Sequence, residues 1–381
     1  MKNIALRILF IAVMMWAAAG LSFGVTVLQK TDTTPQLDIT GYQWDRYTAT
    51  YTDNSETGSG FSIPRTYITT QLKSDDYEGR LTLDINNNQY GEIVNAAALP
   101  AQGSVDWAIW VKYGYVDLIN MPEFKVADLK LRIGLQPVYF GEIDTWQYPT
   151  IEKTVEDLLS LVSGGDQGLA VLGNLPMGYG DYQIEFTNGA GYKKVENNDG
   201  KQITASINIV PLPGIGIRYS YLSNNTGEDG LTYGQPSKLF AANEVEGLAI
   251  NYSTGPIEGY LQAIQAETKD SATTSGILQA CSAYLGVKVI DQAQVVLRID
   301  TINPDTKADK NLASGSAPYN RYIAGINYFI AKNCTFQLDY EMTQEKIKGS
   351  KVNPITAGPL DSIAANASNA NQILAQMVWG W

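Results

Sequence analysis

Histidine, the side chain that most often carries acid–base chemistry in enzymes, is missing from this chain, and there are only two cysteines. Without histidine, a Ser-His-Asp triad, an imidazole zinc site and a His-ligated haem are all unavailable. The two cysteines, Cys281 and Cys334, lie in separate predicted strands, each beside apolar residues. That setting predicts small buried hydrophobic side chains rather than a disulfide or a ligand pair. We therefore expect no metal and no cofactor.

Paired carboxylates offer another route to catalysis, and Asp339 and Glu341 stand two positions apart on one face of a predicted strand. Two neighbouring carboxyl groups can divide the roles of acid and base. The same spacing also occurs wherever a strand faces a polar lumen, without any catalysis. Since no other catalytic pattern accompanies the pair, the sequence predicts that the protein is not an enzyme.

The charge balance is acidic, with 27 Lys and Arg against 39 Asp and Glu. Nucleic acid attracts proteins with basic surfaces, and no basic cluster interrupts the acidic excess. The composition therefore predicts no nucleic-acid partner.

Residues 1–24 have the pattern of a secretory signal peptide, with Lys2 and Arg7 ahead of a short apolar stretch and small residues at its end. Cleavage is expected near Gly24, with Ala19 as the rival position. No later apolar run is long enough for a membrane-spanning helix. Because lipid tolerates no unpaired sheet edge, a closed barrel is the spanning architecture that remains.

Strand patterns recur along the whole mature chain. In residues 371–381 (NQILAQMVWGW), apolar or aromatic residues alternate with a more polar face and lead to Trp379 and Trp381, which we predict to serve membrane anchoring and assembly. About sixteen such segments are joined by alternately short and long links, the first long one at residues 52–60. Short periplasmic turns and long outer loops are typical of outer-membrane barrels. The prediction is an all-β fold: one transmembrane antiparallel β-barrel over residues 25–381, with residues 25–35 as a periplasmic segment.

About sixteen strands enclose an aqueous lumen, whereas eight would be filled by side chains. The expected inward faces carry charges of both signs, namely Lys112, Lys130, Arg132, Arg218, Arg298, Asp300, Arg321, Asp339 and Glu341. A polar tube predicts a passive diffusion channel for small hydrophilic solutes and ions. A structural barrel, or a conduit that sheathes a partner protein, remains the alternative.

The third long link, residues 138–166, has a pattern of its own. Thr150 could cap a helix from Ile151 whose apolar face ends at Val162, before Ser163-Gly164-Gly165. Folded inward, this helix would narrow the pore, although a position on the outer rim is also open. The predicted constriction is acidic and consists of Glu142, Asp144, Glu152, Glu156 and Asp157, against the single Lys153. Acidic rings favour cations, so the loop predicts weak cation preference, unless the helix turns its carboxylates away from the pore.

Several segments resemble the phosphate-selective porin family of bacterial outer-membrane barrels: 131–136 (LRIGLQ), 138–142 (VYFGE), 151–153 (IEK), 186–189 (FTNG) and 325–329 (GINYF). The terminal strand is similar too. The resemblance implies a sixteen-stranded homotrimer in the bacterial outer membrane whose third loop folds into the channel. Members of that family draw anions through a constriction rich in Arg and Lys, whereas residues 138–152 here contain neither. An anion- or phosphate-selective porin therefore stays an alternative to the cation-preferring channel.

Overall fold

A computed structural model of the chain describes residues 25–31, 34–52, 55–87, 107–119, 129–143, 146, 148–193, 196, 199–225, 244–269, 275–303, 318–345 and 369–380. The predicted signal peptide, Asp144 and Trp381 lie outside these residues. Nearly all of the described secondary structure is strand, with one short helix, α1 (Val155–Leu158), and one 3₁₀ turn at Pro176–Gly178.

Seventeen strands are described, of which the first is very short. In chain order they are β1 Val25–Leu28, β2 Gln36–Thr52, β3 Ser55–Lys73, β4 Tyr77–Asn87, β5 Trp107–Leu118, β6 Lys130–Gln136, β7 Asp166–Asn174, β8 Gly180–Thr187, β9 Lys201–Leu212, β10 Ile215–Asn225, β11 Glu244–Thr254, β12 Ile257–Lys269, β13 Ser275–Ile290, β14 Ala293–Asn303, β15 Tyr319–Ala331, β16 Cys334–Glu345 and β17 Asn369–Gly380.

Strands β2 to β17 form a closed antiparallel barrel of sixteen strands. Each pairs with its neighbour in sequence, and β17 closes the ring by pairing with β2 from Ala370–Thr52 to Gly380–Tyr42. Closure leaves no strand edge to the lipid, as a membrane-spanning sheet requires. The sixteen-stranded barrel predicted from the sequence is confirmed.

Strand β1 occupies the same edge of β2 as β17 does. One edge of β2 is taken by β3 over its whole length, so β1, which pairs Val25 with Ile39 and Thr26 with Asp38, lies on the other edge. There it continues the line of β17 beyond Gly380. The expected periplasmic segment at residues 25–35 therefore begins with a strand of the sheet.

The first expected long link, residues 52–60, is mostly strand instead. Strand β3 begins at Ser55 and pairs with β2 as far as Thr52. Residues 55–60 are exposed, and because all of them are polar or glycine, no apolar alternation marks them in the sequence. Backbone pairing with β2 holds them in the strand.

Side chains alternate between the lumen and the outer surface, as β14 illustrates. Gln294, Arg298 and Asp300 are buried inside, whereas Val295, Leu297 and Ile299 are 37–50% exposed outside. Among the described residues, no helix is long and apolar enough to cross a membrane. Cys334 is buried as expected, but Cys281 is exposed on an outward face, so the prediction that both are buried is wrong for Cys281. Its neighbour Ser282 takes the inward position there.

Trp379 ties the closing strand to the first full strand of the barrel. Its indole Nε1 donates to Asp45 Oδ2 on β2 at 2.8 Å. Its ring packs with the buried Cys334 and Met377 near the end of β17.

Replacing this indole tests its part in closing the barrel. Trp379→Phe removes the hydrogen bond to a carboxylate, worth about 1–3 kcal/mol. We expect the variant to unfold at a lower temperature in SDS, measured by the heat-dependent shift in gel mobility. Trp107→Phe, at an exposed tryptophan that is 53% accessible, is the matched control. Equal transition temperatures for Trp379→Phe and the parent protein would contradict this role.

Candidate channel constriction

The segment between β6 and β7 crosses the inside of the barrel. Inward side chains of distant strands bind its backbone: Gln337 donates to the Tyr148 carbonyl at 2.7 Å, Asn327 to the Pro149 carbonyl at 2.8 Å and Arg298 to the Lys153 carbonyl at 2.7 Å. The Ile151 amide in turn donates to Asp339 at 2.7 Å. This loop, residues 138–166, therefore folds inward as predicted, and a position on the outer rim is excluded.

An apolar patch on the inner wall receives the loop. The loop contributes six buried side chains, Val138, Phe140, Val155, Leu159, Leu161 and Val162. The wall contributes seven from β10 to β14, namely Leu222, Val245, Ile264, Ala266, Leu278, Ala280 and Ile302. Burial of both surfaces removes apolar area from a water-filled lumen, which stabilises the docked loop. The loop therefore rests against β10–β14 and leaves the opposite side of the lumen open.

The loop helix is shorter than the predicted one. It spans only Val155–Leu158, and Thr154 rather than Thr150 is its N-cap, accepting from the Asp157 amide. Backbone groups at Ile151 and Lys153 are already bonded to Asp339 and Arg298 on the wall, so that stretch crosses the lumen in a non-helical conformation. At the other end, Ser160 adopts a positive φ of 53°, which ends the helix.

Two of the predicted constriction carboxylates lie between loop and wall. Glu142 accepts from Asn251 of β11 at 2.8 Å. Glu156 is fully buried and accepts from the Glu142 amide at 2.9 Å and from Gln262 of β12 at 3.2 Å. Gly141 has a φ of +55°, and a Cβ there would collide with Gln262 and Glu156. Burial raises the pKa of Glu156 to about 7. Both side chains are thus buried, and Glu142 lies beside a cavity of the lumen.

Glu152 and Asp157 are only partly exposed, and each has a basic partner. Glu152 pairs with Arg321 at 3.3 Å, and Asp157 pairs with Lys153 at 3.3 Å. Burial alone would raise the pKa of Asp157, but Lys153 together with Arg65 and Lys112 reverses the effect and lowers it. Asp144 lies outside the described residues. The acidic constriction expected from the sequence is thus buried or paired wherever the structure describes it.

Most of the predicted lumen charges hold the loop or one another. Asp300 forms salt bridges with Arg298 at 3.0 Å and with Arg321 at 2.5 Å. Arg218 donates to the Gly141 carbonyl at 2.9 Å. Arg132 makes two bonds to Asp117, and Lys130 pairs with Glu78. Asp339 binds the loop and Glu341 is buried beside it on β16. In the described part of the chain, no three Cys, Asp or Glu residues are grouped as metal ligands would be.

The loop contacts the open side of the barrel at Arg46 of β2, which donates to the Ile151 carbonyl at 3.3 Å, and at two further places. The Tyr148 ring lies 4.9 Å from the Trp44 ring of β2, and Gly164 accepts from the Tyr113 hydroxyl of β5 at 3.2 Å. Between these contacts the wall presents Arg65, Tyr67 and Lys112. The loop presents Lys153 and Asp157 opposite them. We take this gap, called the passage below, as the candidate constriction.

Lys112 reaches the passage through a β-bulge. Tyr113 pairs with Thr82 and Val111 with Leu83, so Lys112 is the extra residue and points inward like Tyr113. Its Nζ donates to the Tyr67 hydroxyl at 2.7 Å and lies 4.4 Å from the Tyr67 ring centroid. Arg65 donates to Asp84 at 2.7 Å and to the same hydroxyl at 2.9 Å.

The sequence prediction missed Arg65, Tyr67, Tyr113 and Tyr148 as residues of the passage. Arg65, Tyr67, Thr69 and Gln71 share one face of β3, but Thr66 and Thr70 make the other face polar too, so alternation did not mark the lumen side. The bulge has no sequence signal. Lys112 alone among the predicted lumen residues lies at the passage wall.

Comparison with known proteins identifies the class of fold. No family model matches the chain, and no curated protein matches it. Solved structures do: Salmonella typhi OmpF (TM-score 0.62, 12% identity), an anion-selective porin from Comamonas acidovorans (0.58, 9%) and a trimer form of Vibrio cholerae OmpT (0.55, 11%). Alignments cover 93%, 91% and 91% of this chain and all of each neighbour. The chain therefore has the barrel fold of outer-membrane porins, while the phosphate-selective family suggested by its motifs receives no separate support.

Loosening the apolar contact should widen the channel. Leu159→Gln places an amide in the cluster at a site that is 3% exposed, and deleting a buried leucine costs about 2–5 kcal/mol. We expect a folded barrel with a larger single-channel conductance, because the loop leaves the wall. Leu158→Gln, at the half-buried neighbouring position, should leave the conductance unchanged. An unaltered conductance in Leu159→Gln would show that this contact does not set the pore width.

Docking of the loop should weaken as the pH rises. The pKa of Glu156 is about 7 in the docked loop against an ordinary 4.5, so the docked loop holds its proton more tightly. The stabilisation of the docked loop by this tighter proton binding is complete below pH 4.5 and is lost as the pH rises through 7. In Glu156→Gln the side chain cannot ionise, and the unfolding temperature in detergent should fall less over this range. Asp157→Asn is the control, and its unfolding temperature should change with pH as that of the parent protein does. If the unfolding temperatures of Glu156→Gln and the parent protein fell in parallel, Glu156 would not be the group responsible.

Proposed function

We propose that the protein is a porin of the bacterial outer membrane, a passive diffusion channel for small hydrophilic solutes and ions. The observation that carries the proposal is the inward loop, which leaves one lined passage through a barrel wide enough for an aqueous lumen. Export behind a signal peptide cleaved near Gly24 fits this location. A homotrimer is part of the proposal, supported by the trimer form of the neighbour OmpT. We expect no catalysed reaction.

A conduit for a partner protein is the weaker candidate. The loop spans the lumen from β6 to the Trp44 wall of β2, so it occupies the space that a threaded partner would need. A passage between a loop and a wall suits small solutes instead.

We infer further that the passage favours anions over cations. Of the described acidic residues that pointed to cation preference, Glu142 and Glu156 are buried, and Glu152 and Asp157 are paired. The wall and loop of the passage instead present Arg65, Lys112 and Lys153, against Asp84 and Asp157. Basic groups at a narrow point favour anions, because low-dielectric walls focus their field over a Debye length of about 8 Å. The preference is weak, since Asp84 and Asp157 offset part of the basic charge.

Removal of the bulge lysine tests the sign and the source of this preference. In a planar bilayer under a KCl gradient, the parent protein should show an anion-selective reversal potential. Lys112→Gln should shift that potential toward cations, because it removes a charge whose described contacts are to tyrosines rather than carboxylates.

Lys130→Gln is the matched control, because Lys130 pairs with Glu78 away from the passage. A cation-selective parent protein would restore the preference expected from the sequence. Failure to form ion-conducting channels at all would refute the porin proposal.

A further inference from the structure

A second lined space lies inside the barrel, on the side of the short turns and away from the passage. It is a cavity of about 420 Å³ whose lining includes Gly214 and Ser253, beside the turns that follow β9 and β11. The loop forms its roof with Trp146 and Pro149. A space of this size would hold a small organic solute.

Three aromatic rings of the lining pack against one another. Trp146 meets Tyr260 and Tyr284 edge to face, with ring centroids 5.6 Å apart in both pairs. The Trp146 indole is held by a 2.9 Å hydrogen bond to the Glu152 carbonyl. These contacts fix the rings in place before any ligand arrives, so binding costs little reorganisation.

Glu258 supplies a charge beside the rings. Its Oε1 accepts from the Tyr284 hydroxyl at 2.8 Å and from Gln294 at 2.9 Å, and both donors are neutral. A Cβ at Gly286 would lie 2.5 Å from the Tyr284 hydroxyl oxygen and 2.7 Å from Gln294 Nε2, so the glycine leaves room for this cluster. The carboxylate is thereby oriented, and neither of these described partners is a basic side chain.

The chemistry of the lining selects the kind of ligand. The described residues around the cavity include Glu142 and Glu258 but no Lys or Arg. Arg298, which stacks on Trp146 at 5.2 Å, is paired with Asp300. Two donors of the lining are already used, since Asn251 bonds Glu142 and Tyr284 bonds Glu258. The two carboxylates can accept further hydrogen bonds, and they lie beside aromatic rings. This combination suits a ligand that is cationic and donates hydrogen bonds.

We propose that this cavity binds a small primary organic ammonium ion. The ammonium group lies against Glu258, and the alkyl body lies against Trp146, Tyr260 and Tyr284. The site is separate from the basic passage, so the channel combines an anion-favouring constriction with a cation-binding cavity on its turn side.

Block of the ion current by propylammonium chloride tests the proposal on the full-length channel in a planar bilayer. Propylammonium should reduce the current at concentrations where added KCl does not. Glu258→Gln should weaken the block about tenfold, which corresponds to about 1.4 kcal/mol. Gly286→Ala keeps the charge but crowds the cluster, and should weaken the block as well.

Glu78→Gln, at a carboxylate on the opposite wall, is the matched control and should leave the block unchanged. Each variant is first checked for SDS resistance and ordinary conductance. Equal block in the parent and both cavity variants would overturn the proposal, and so would an equal loss of block in Glu78→Gln. Block by maltose at the same concentrations, insensitive to Glu258→Gln, would replace the ammonium site with a saccharide site. None of these results bears on the reversal potential that tests the passage.

Discussion

The apolar contact between the inward loop and strands β10–β14 determines the layout of the whole lumen. A polar tube has little reason to carry Leu222, Val245, Ile264 and Leu278 on its inner face, unless something covers them. The loop covers them with Val155, Leu159 and their neighbours. Because the loop is held to one side, the open path runs off centre, along β2–β5. Both the passage and the turn-side cavity are spaces that this asymmetric docking leaves unfilled.

Charges inside the barrel divide into two groups by what surrounds them. Those between loop and wall, such as Asp300, Arg298 and Arg321, are desolvated and must be paired, because an uncompensated buried charge is costly. Those at the passage, such as Lys112, contact tyrosine hydroxyls and ring faces and keep their field toward water. A count of inward charges along the strands cannot distinguish the paired charges under the loop from those at the passage. Only the charges at the passage act on a passing ion.

The barrel was predictable from the sequence because its signals are local. Strand-like segments and turn residues located the sixteen spanning strands, although alternation did not mark the inner face of β3, and the apolar face of the loop marked its need for a wall. The constriction was not predictable in the same way. In the sequence Glu142 and Glu156 resemble pore charges, but docking of the loop buries them. The inward direction of Lys112 depends on a one-residue bulge in β5 where it pairs with β4. Those features follow from tertiary packing, which alternation does not encode.

The end-to-end placement of β1 and β17 on one edge of β2 has a consequence for how the ring seals. Most pairings join neighbouring strands, but the seam joins Arg46 to Gln376, 330 positions later. A slip of one residue there would turn every side chain of β17 to the wrong face. Strand β1 occupies residues 37–39 of that edge, and β17 stops at Tyr42. Strand β1 thus blocks β17 from sliding further along this edge. In this way the first strand of the chain limits the register in which the last strand pairs with β2.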